Sequence, residues 1–275
     1  MLWNLRRILQ TRRLVGNYEI VRILIDRFRS PSSFLWYRIV KEHVNGRKCL
    51  EIGGPSSIFR SESEIPIYPY LGSWDNVDFT HRTLWSQHVD CGGARVSNGH
   101  FTGQQFTADA TRLTAIDSGT YDLVLSSHVV EHIANPIRAL TEWKRVLKEN
   151  GRIIAVVPEG ARMFDHARTT TSIDHLLKDF RDGILEDNLS HLPEIFQYHD
   201  ISMDPAANGW KNFVARSRRN GEVRALHHHV FTPESLAKLL DVAGFAVDLV
   251  TRVRPLHILV SGVTSSNRSS ETSIG

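Results

Sequence analysis

YDLVLSSHVVEHIANPIRALTEWKRVLKENGRIIAVVPE, residues 121–159, holds two apolar runs separated by one helical stretch. Tyr121 to Ser126 has the length and continuous apolar character of a buried strand, and Arg152 to Val157 repeats it. Between them Asn135 can cap a helix with Pro136 at its first position, where a missing N–H costs nothing. Ile137, Leu140, Trp143 and Leu147 then share one face with Lys144 at its edge, and Asn150–Gly151 supplies a stop. Strand, helix and strand in this order form the unit of a parallel sheet wrapped by helices.

The alternation extends both ways. Lys48 to Ile52 reads as a first strand, Asn76 to Phe79 as a second, and Gln105 to Ala108 as a third that ends at Asp109. Downstream, Thr232-Pro233-Glu234 opens a helix through Ala243, Gly244 closes it, and Phe245 to Val253 and Leu256 to Val260 read as two last strands. Residues 159–231 make a connection far longer than an ordinary loop. They contain seven of the 14 histidines of the chain. The organisation expected is a helical extension over 1–45, one enlarged domain over 46–263 with the His-rich insertion 159–231, and a disordered tail over 264–275.

The chain has 275 residues, 41% hydrophobic and 23% charged, an ordinary balance for a globular protein. A net charge of +3 gives no general footprint for nucleic acid. Cys49 and Cys91 provide neither a disulfide framework nor a metal-spaced pair, which fits a reducing, cytoplasmic setting. No apolar stretch approaches the roughly 18 residues of a spanning helix, and no signal peptide is read. Residues 1–29 carry seven arginines against Glu19 and Asp26, in an amphipathic pattern. That pattern suits a packing helix with a solvated basic face or peripheral contact with an anionic membrane.

The first strand runs into Glu51-Ile52-Gly53-Gly54-Pro55-Ser56. A dinucleotide turn wants spaced glycines that let a pyrophosphate approach. Here the glycines are adjacent, Pro55 removes a donor, and Glu51 puts a carboxylate near the would-be anion. These features disfavour NAD and suit a ligand carrying both an ammonium and a small carboxylate: Glu51 would attract the first and loop amides the second. S-adenosylmethionine is such a ligand.

YDLVLSSHVVEHIANPIRALTEWKRVLKENGRIIAVVPE resembles the central signature of class I S-adenosylmethionine-dependent methyltransferases, through His128, Val130, Glu131, His132, Arg145, Val146, Leu147, Lys148 and Gly151. LEIGGPS resembles the first motif of that family and ADATRL, residues 108–113, its adenine-contacting turn. The resemblance implies an α/β, Rossmann-like, doubly wound and mostly parallel seven-stranded sheet with helices on both faces and an inserted cap. It implies that Glu51, Gly53 and Gly54 line the methionine part of the cofactor. Asp109 would accept a hydrogen bond from the adenine amino group, with Ala110 giving a backbone contact. Ser127 and His128 would sit beneath the sulfonium. For the ribose, Asp75 and Asp78 are both available, and Asp78 is preferred.

Methyl transfer to a hydroxyl requires orientation of the nucleophile and removal of its proton, for which histidine is the natural base. His128 follows the fourth strand and His166 the fifth, so both emerge at one sheet edge. Either is a candidate base or acceptor-positioning group, with Asp165 able to orient its neighbour. In LHHHVF an extended backbone would send His227 and His229 to one face as substrate-binding groups, and Arg168 could recognise an anionic group on the acceptor. Two of the adjacent histidines could ligate a divalent metal with Asp165, His166, His191 or His199, but no ligand set is assigned. The expected reaction is methyl transfer to a hydroxyl of a small molecule, sugar or glycoconjugate. N-methylation, metal-assisted O-methylation and a cofactor-binding scaffold docked on membrane are the alternatives.

Overall fold

The computed structural model describes residues 42–61, 63–80, 96–97, 100–101 and 103–264. Its main sheet has seven strands: β1 (Lys48–Ile52), β2 (Ser73–Asp78), β3 (Gln105–Thr107), β4 (Tyr121–Ser127), β5 (Leu147–Pro158), β6 (Phe245–Val253) and β7 (His257–Thr264). Their spatial order is β3-β2-β1-β4-β5-β7-β6. The first five are parallel, and β7 runs antiparallel to both of its neighbours. The chain order reverses between β1 and β4, where the ends of the strands open a crevice. This is the α/β, Rossmann-like, mostly parallel seven-stranded architecture expected from the sequence.

Six α-helices are described: α1 (Pro136–Val146), α2 (Ile173–Asp182), α3 (Leu192–Tyr198), α4 (Trp210–Ser217), α5 (Asn220–Val223) and α6 (Pro233–Val242). Strand alternation sends Leu50 and Ile52 of β1 into one apolar layer with Leu140 and Trp143 of α1, Leu176 of α2 and Leu236 of α6. Cys49 points into the opposite layer, built among the described residues from Ile58, Phe59, Ile65, Ile67, Tyr68 and Trp74. Short 3-10 turns at Ser57–Phe59 and Tyr68–Tyr70 contribute Ile58, Phe59 and Tyr68 to that second layer. Tyr68 stacks on Trp74 with ring centroids 4.2 Å apart.

Several boundaries differ from the sequence reading. Helix α1 begins as expected, with Asn135 accepting the Arg138 N–H, but stops at Val146. Gly119 N donates to Arg145 O and Thr120 N to Val146 O, so a neighbouring loop satisfies the last carbonyls and the Asn150–Gly151 stop is not needed. Strand β7 runs on to Thr264 because Gly262 and Val263 pair with β5 and β6, which takes Thr264 out of the expected tail. Helix α2 lies within the 159–231 insertion, yet its Leu176 is buried in the main core, so the cap proper begins after Asp182. Residues 1–41 of the expected extension and 265–275 of the tail lie outside the described residues. No described helix is long and apolar enough to cross a membrane.

Candidate active site

The carboxyl ends of β1, β2 and β4 open into one cavity of about 840 Å³, within the range of cofactor sites. Gly53, Gly54, Asp78, Ala110, Ser127 and His128 line its sheet side, and Met163, Phe164, Met203 and His227 line the side of the insertion. Glu51, Asp109, Asp165, His166, Arg168 and His229 do not reach the wall.

Glu51 is fully buried beneath the glycine turn. Its Oε1 accepts the Ser56 N–H at 2.9 Å, and the Tyr68 hydroxyl lies 2.9 Å and 2.7 Å from its two oxygens. The carboxylate therefore holds the loop from below and is not presented to a ligand ammonium, contrary to the expectation. The amides are also committed: Gly53 N donates to Val77 O, and Gly54 N to Asn76 Oδ1 at 2.9 Å. Asn76 Nδ2 returns a bond to Gly54 O at 2.8 Å. A carboxylate served by the N–H groups of Gly53, Gly54 and Ser56 is thus not what this turn offers.

The two ribose candidates separate by position. Asp75 Oδ1 accepts from Gln104 N and Oδ2 from the Tyr121 hydroxyl at 2.7 Å, away from the cavity. Asp78 ends β2 on the cavity wall, with Oδ1 accepting the Phe79 N–H. Asp109, the expected adenine acceptor, receives Thr111 N and Oγ1 at Oδ1 and the Arg224 guanidinium at Oδ2. Burial opposes its ionisation, but the bonds from Thr111 and the charge of Arg224 outweigh that and hold its pKa below the usual range. Arg224 also sits 4.7 Å over the Phe79 ring, so the cap reaches the sheet edge at this point.

His128 takes a left-handed backbone, φ 55°, a conformation that concentrates at functional sites. Its Nε2 lies 2.9 Å from His257 Nδ1 and its Nδ1 3.6 Å from Glu131 Oε1. Desolvation and the nearby His257 push its pKa well down, and burial holds His257 at about 4. Burial likewise lowers His132 to about 3 and raises the Glu131 carboxyl to about 7. His227 differs. Burial would lower its pKa, but a short hydrogen bond from Nδ1 to Asp165 Oδ2 reverses the sign and raises it.

The expected partnership of Asp165 with His166 is not formed. His166 is exposed and faces Asp200 at 3.3 Å, whereas buried Asp165 turns inward to His227. Arg168 is also buried; it donates to Asp165 Oδ1, to His227 O at 2.7 Å and to His228 O at 3.1 Å. It fixes the histidine run and is not placed to read an acceptor. Nor do His227 and His229 share a face. The N–H groups of His228 and His229 both converge on Glu131 O, which strand alternation forbids, and His229 Nε2 faces Ala134 O at 3.1 Å outside the cavity. His132, His257, Met163, Phe164, Met203 and Arg60 line the cavity without having been singled out as site residues; only His132, within the Val-Glu-His step, carried a sequence signal.

Such a cavity, at the switch point of a seven-stranded sheet with an acid closing β2, defines a nucleotide-cofactor protein of the Rossmann-like kind. Residues 78–155 match the family model described as "Methyltransferase domain", and no curated protein matches the sequence. Among solved structures, an S-adenosylmethionine-dependent methyltransferase from Mesorhizobium loti is 15% identical, with 82% of this chain and 96% of that one covered at a TM-score of 0.46. One from Methanosarcina mazei is 16% identical, covering 83% and 97% at 0.44. The trans-methyltransferase CalH, solved with S-adenosylhomocysteine, is 13% identical, covering 84% of this chain at 0.44. This chain spans 55% of the length of CalH. The sheet order and the matched segment, rather than these overlays, define the class: residues 78–155 carry a methyltransferase-domain segment within a Rossmann-like seven-stranded sheet. The cofactor such a domain implies is S-adenosylmethionine. The wall residues fit it, with the Asp78 carboxylate at the end of β2 on the side a ribose would take and Phe79 and Ala110 lining the wall where a base would lie.

Proposed function

We infer that the protein methylates a hydroxyl of a small molecule, sugar or glycoconjugate, with His227 taking the proton and Asp165 positioning His227. When bound, S-adenosylmethionine supplies an electrophilic methyl group and leaves as S-adenosylhomocysteine. Gly53, Gly54, Asp78, Ala110 and Ser127 would hold it, and Arg60, on the same wall beside the turn, would serve its carboxylate now that the loop amides are spent.

The observation that carries this reading is the Asp165–His227 pair on the cavity wall. A carboxylate on one imidazole nitrogen sets the tautomer and leaves the other nitrogen to accept a proton. Arg168 braces both members, bonding Asp165 and the His227 carbonyl, so the base is held in one orientation. The acceptor hydroxyl gives its proton to His227 as its oxygen forms the new bond to carbon. Glu186 and Arg216 on the cap side of the cavity supply polar atoms suited to a hydroxylated acceptor.

The test is methyl transfer from S-adenosylmethionine to matched hydroxyl and amine acceptors, with product position read by mass spectrometry and NMR. His227→Ala should lower kcat by roughly 10²–10⁴-fold while calorimetric affinity for S-adenosylhomocysteine stays unchanged. Asp165→Asn should lower kcat with KM and product affinity kept, and Asp165→Glu should recover part of the rate. Wild-type turnover in both His227→Ala and Asp165→Asn, or methylation on nitrogen alone, overturns the reading.

A further inference from the structure

A second histidine cluster lies outside the cavity. His175 and Asp179 are one turn apart on α2 and therefore share a helix face. His191 directly precedes α3, and His229 comes from the segment that returns the insertion to α6. None of the four lines the cofactor cavity.

Their polar atoms converge. His175 Nε2 lies 2.9 Å from His191 Nε2 and 3.1 Å from Asp179 Oδ2, and His229 Nε2 lies 3.9 Å from the same Asp179 oxygen. One ligand atom from each of the three imidazoles falls within 4.8 Å of the others. The side chain of Asp179 is only 10% exposed, yet its Oδ2 makes no hydrogen bond. Two imidazole nitrogens face each other at hydrogen-bond distance beside a buried carboxylate oxygen. A single shared proton leaves this set poorly satisfied, and a divalent cation satisfies all of it at once.

We propose that His175, His191, His229 and Asp179 form a structural zinc site that ties the cap to helix α2. Three imidazoles and a carboxylate are a donor set suited to Zn²⁺, and four protein ligands close a tetrahedral shell as a structural rather than catalytic site. The ligand atoms need only draw together, since bonds of about 2.0–2.1 Å place tetrahedral ligands roughly 3.3 Å apart. His229 Nε2 exchanges its contact with the Ala134 carbonyl for the ion. The half-exposed His175 side chain gives a path for entry. The ion also fixes the 227–229 run from the side opposite the cavity.

The 275-residue protein, stripped with a chelator and dialysed, is titrated with Co²⁺ and then Zn²⁺. The expected result is one Co²⁺ per chain with the intense visible absorption of a tetrahedral site, lost on displacement by Zn²⁺, and a raised melting temperature with either ion. His175→Gln, at a half-exposed position, should abolish the Co²⁺ spectrum while circular dichroism and S-adenosylhomocysteine binding stay as in wild type. His191→Gln should do the same. His132→Gln, which alters the cavity cluster of Glu131, His132 and His227, should leave the spectrum intact. No Co²⁺ spectrum and no thermal shift in folded protein overturns the proposal. So does a spectrum that survives His175→Gln or disappears in His132→Gln, which would put the ion in the cavity.

Discussion

Glu51 is an acid inside an apolar layer, and it is tolerated there because Tyr68 and the Ser56 amide satisfy its oxygens. That arrangement explains the second glycine of the turn. A Cβ at Gly54 would stand 2.1 Å from Glu51 Cδ, and the carboxylate cannot retreat without breaking its bonds. Gly54→Ala should therefore destabilise the fold by roughly 1–3 kcal/mol and weaken S-adenosylhomocysteine binding, read by urea unfolding and calorimetry. A stability within about 0.5 kcal/mol of wild type would show that the loop can shift. Residue chemistry also separates His166 from His227. The two are alike in sequence terms, but one faces solvent beside Asp200 and the other is held against Asp165 on the cavity wall.

The elements of the cap are short, and a small apolar cluster of Ile195, Ala207, Phe213 and Leu226 is joined by buried ion pairs in holding them together. Asp204 ends one 3-10 turn and caps the next. Its side chain is 4% exposed, with Oδ2 3.1 Å from His199 Nε2 and 3.0 Å from Arg216 Nη2. Burial alone would raise its pKa, but the His199 bond and the Arg216 charge lower it overall. A carboxylate with a depressed folded pKa contributes stability that is fully present above its unfolded value of about 3.9 and is lost as pH falls through the folded value. Asp204→Asn should cost about 3 kcal/mol at pH 7. The gap between variant and wild type, from urea unfolding across a pH series, should narrow below about pH 4. A gap constant over the whole series would show that charge is not what the site uses.

At the scale of the whole molecule, the sheet centre is sealed on both faces and its margin is not. Leu50, Val124 and Ala155 of β1, β4 and β5 have no exposed surface, whereas β6 buries only its two ends. Hydrogen exchange should show amides of β1, β4 and β5 opening only in global unfolding, with outward-facing β6 amides exchanging earlier through partial opening. Equal protection of β6 and β4 would contradict this. The cap joins the sheet through Arg224 on Asp109, Glu186 on the Ala134 amide and Leu226 O on His132. Cofactor and acceptor regions therefore form one enclosure.

Local pattern was enough for the strands, for the Asn135 and Thr232 helix starts and for the backbone glycines at the cavity, because periodicity, caps and turns depend on neighbours in the chain. It was enough also for the methyltransferase class, since several of its motif residues are close in sequence. Partners distant in sequence were decided by the tertiary structure alone. Asp165 meets His227 across 62 positions, Asp109 meets Arg224 across 115, and Glu51 meets Tyr68 in a layer without a helical pattern. Two of these are charge pairings and the third is a hydrogen bond from a neutral hydroxyl, and which acid takes which partner depends on burial and distance after folding. Residue type offered several imidazoles for this edge of the sheet, and only packing chose which of them line the cavity.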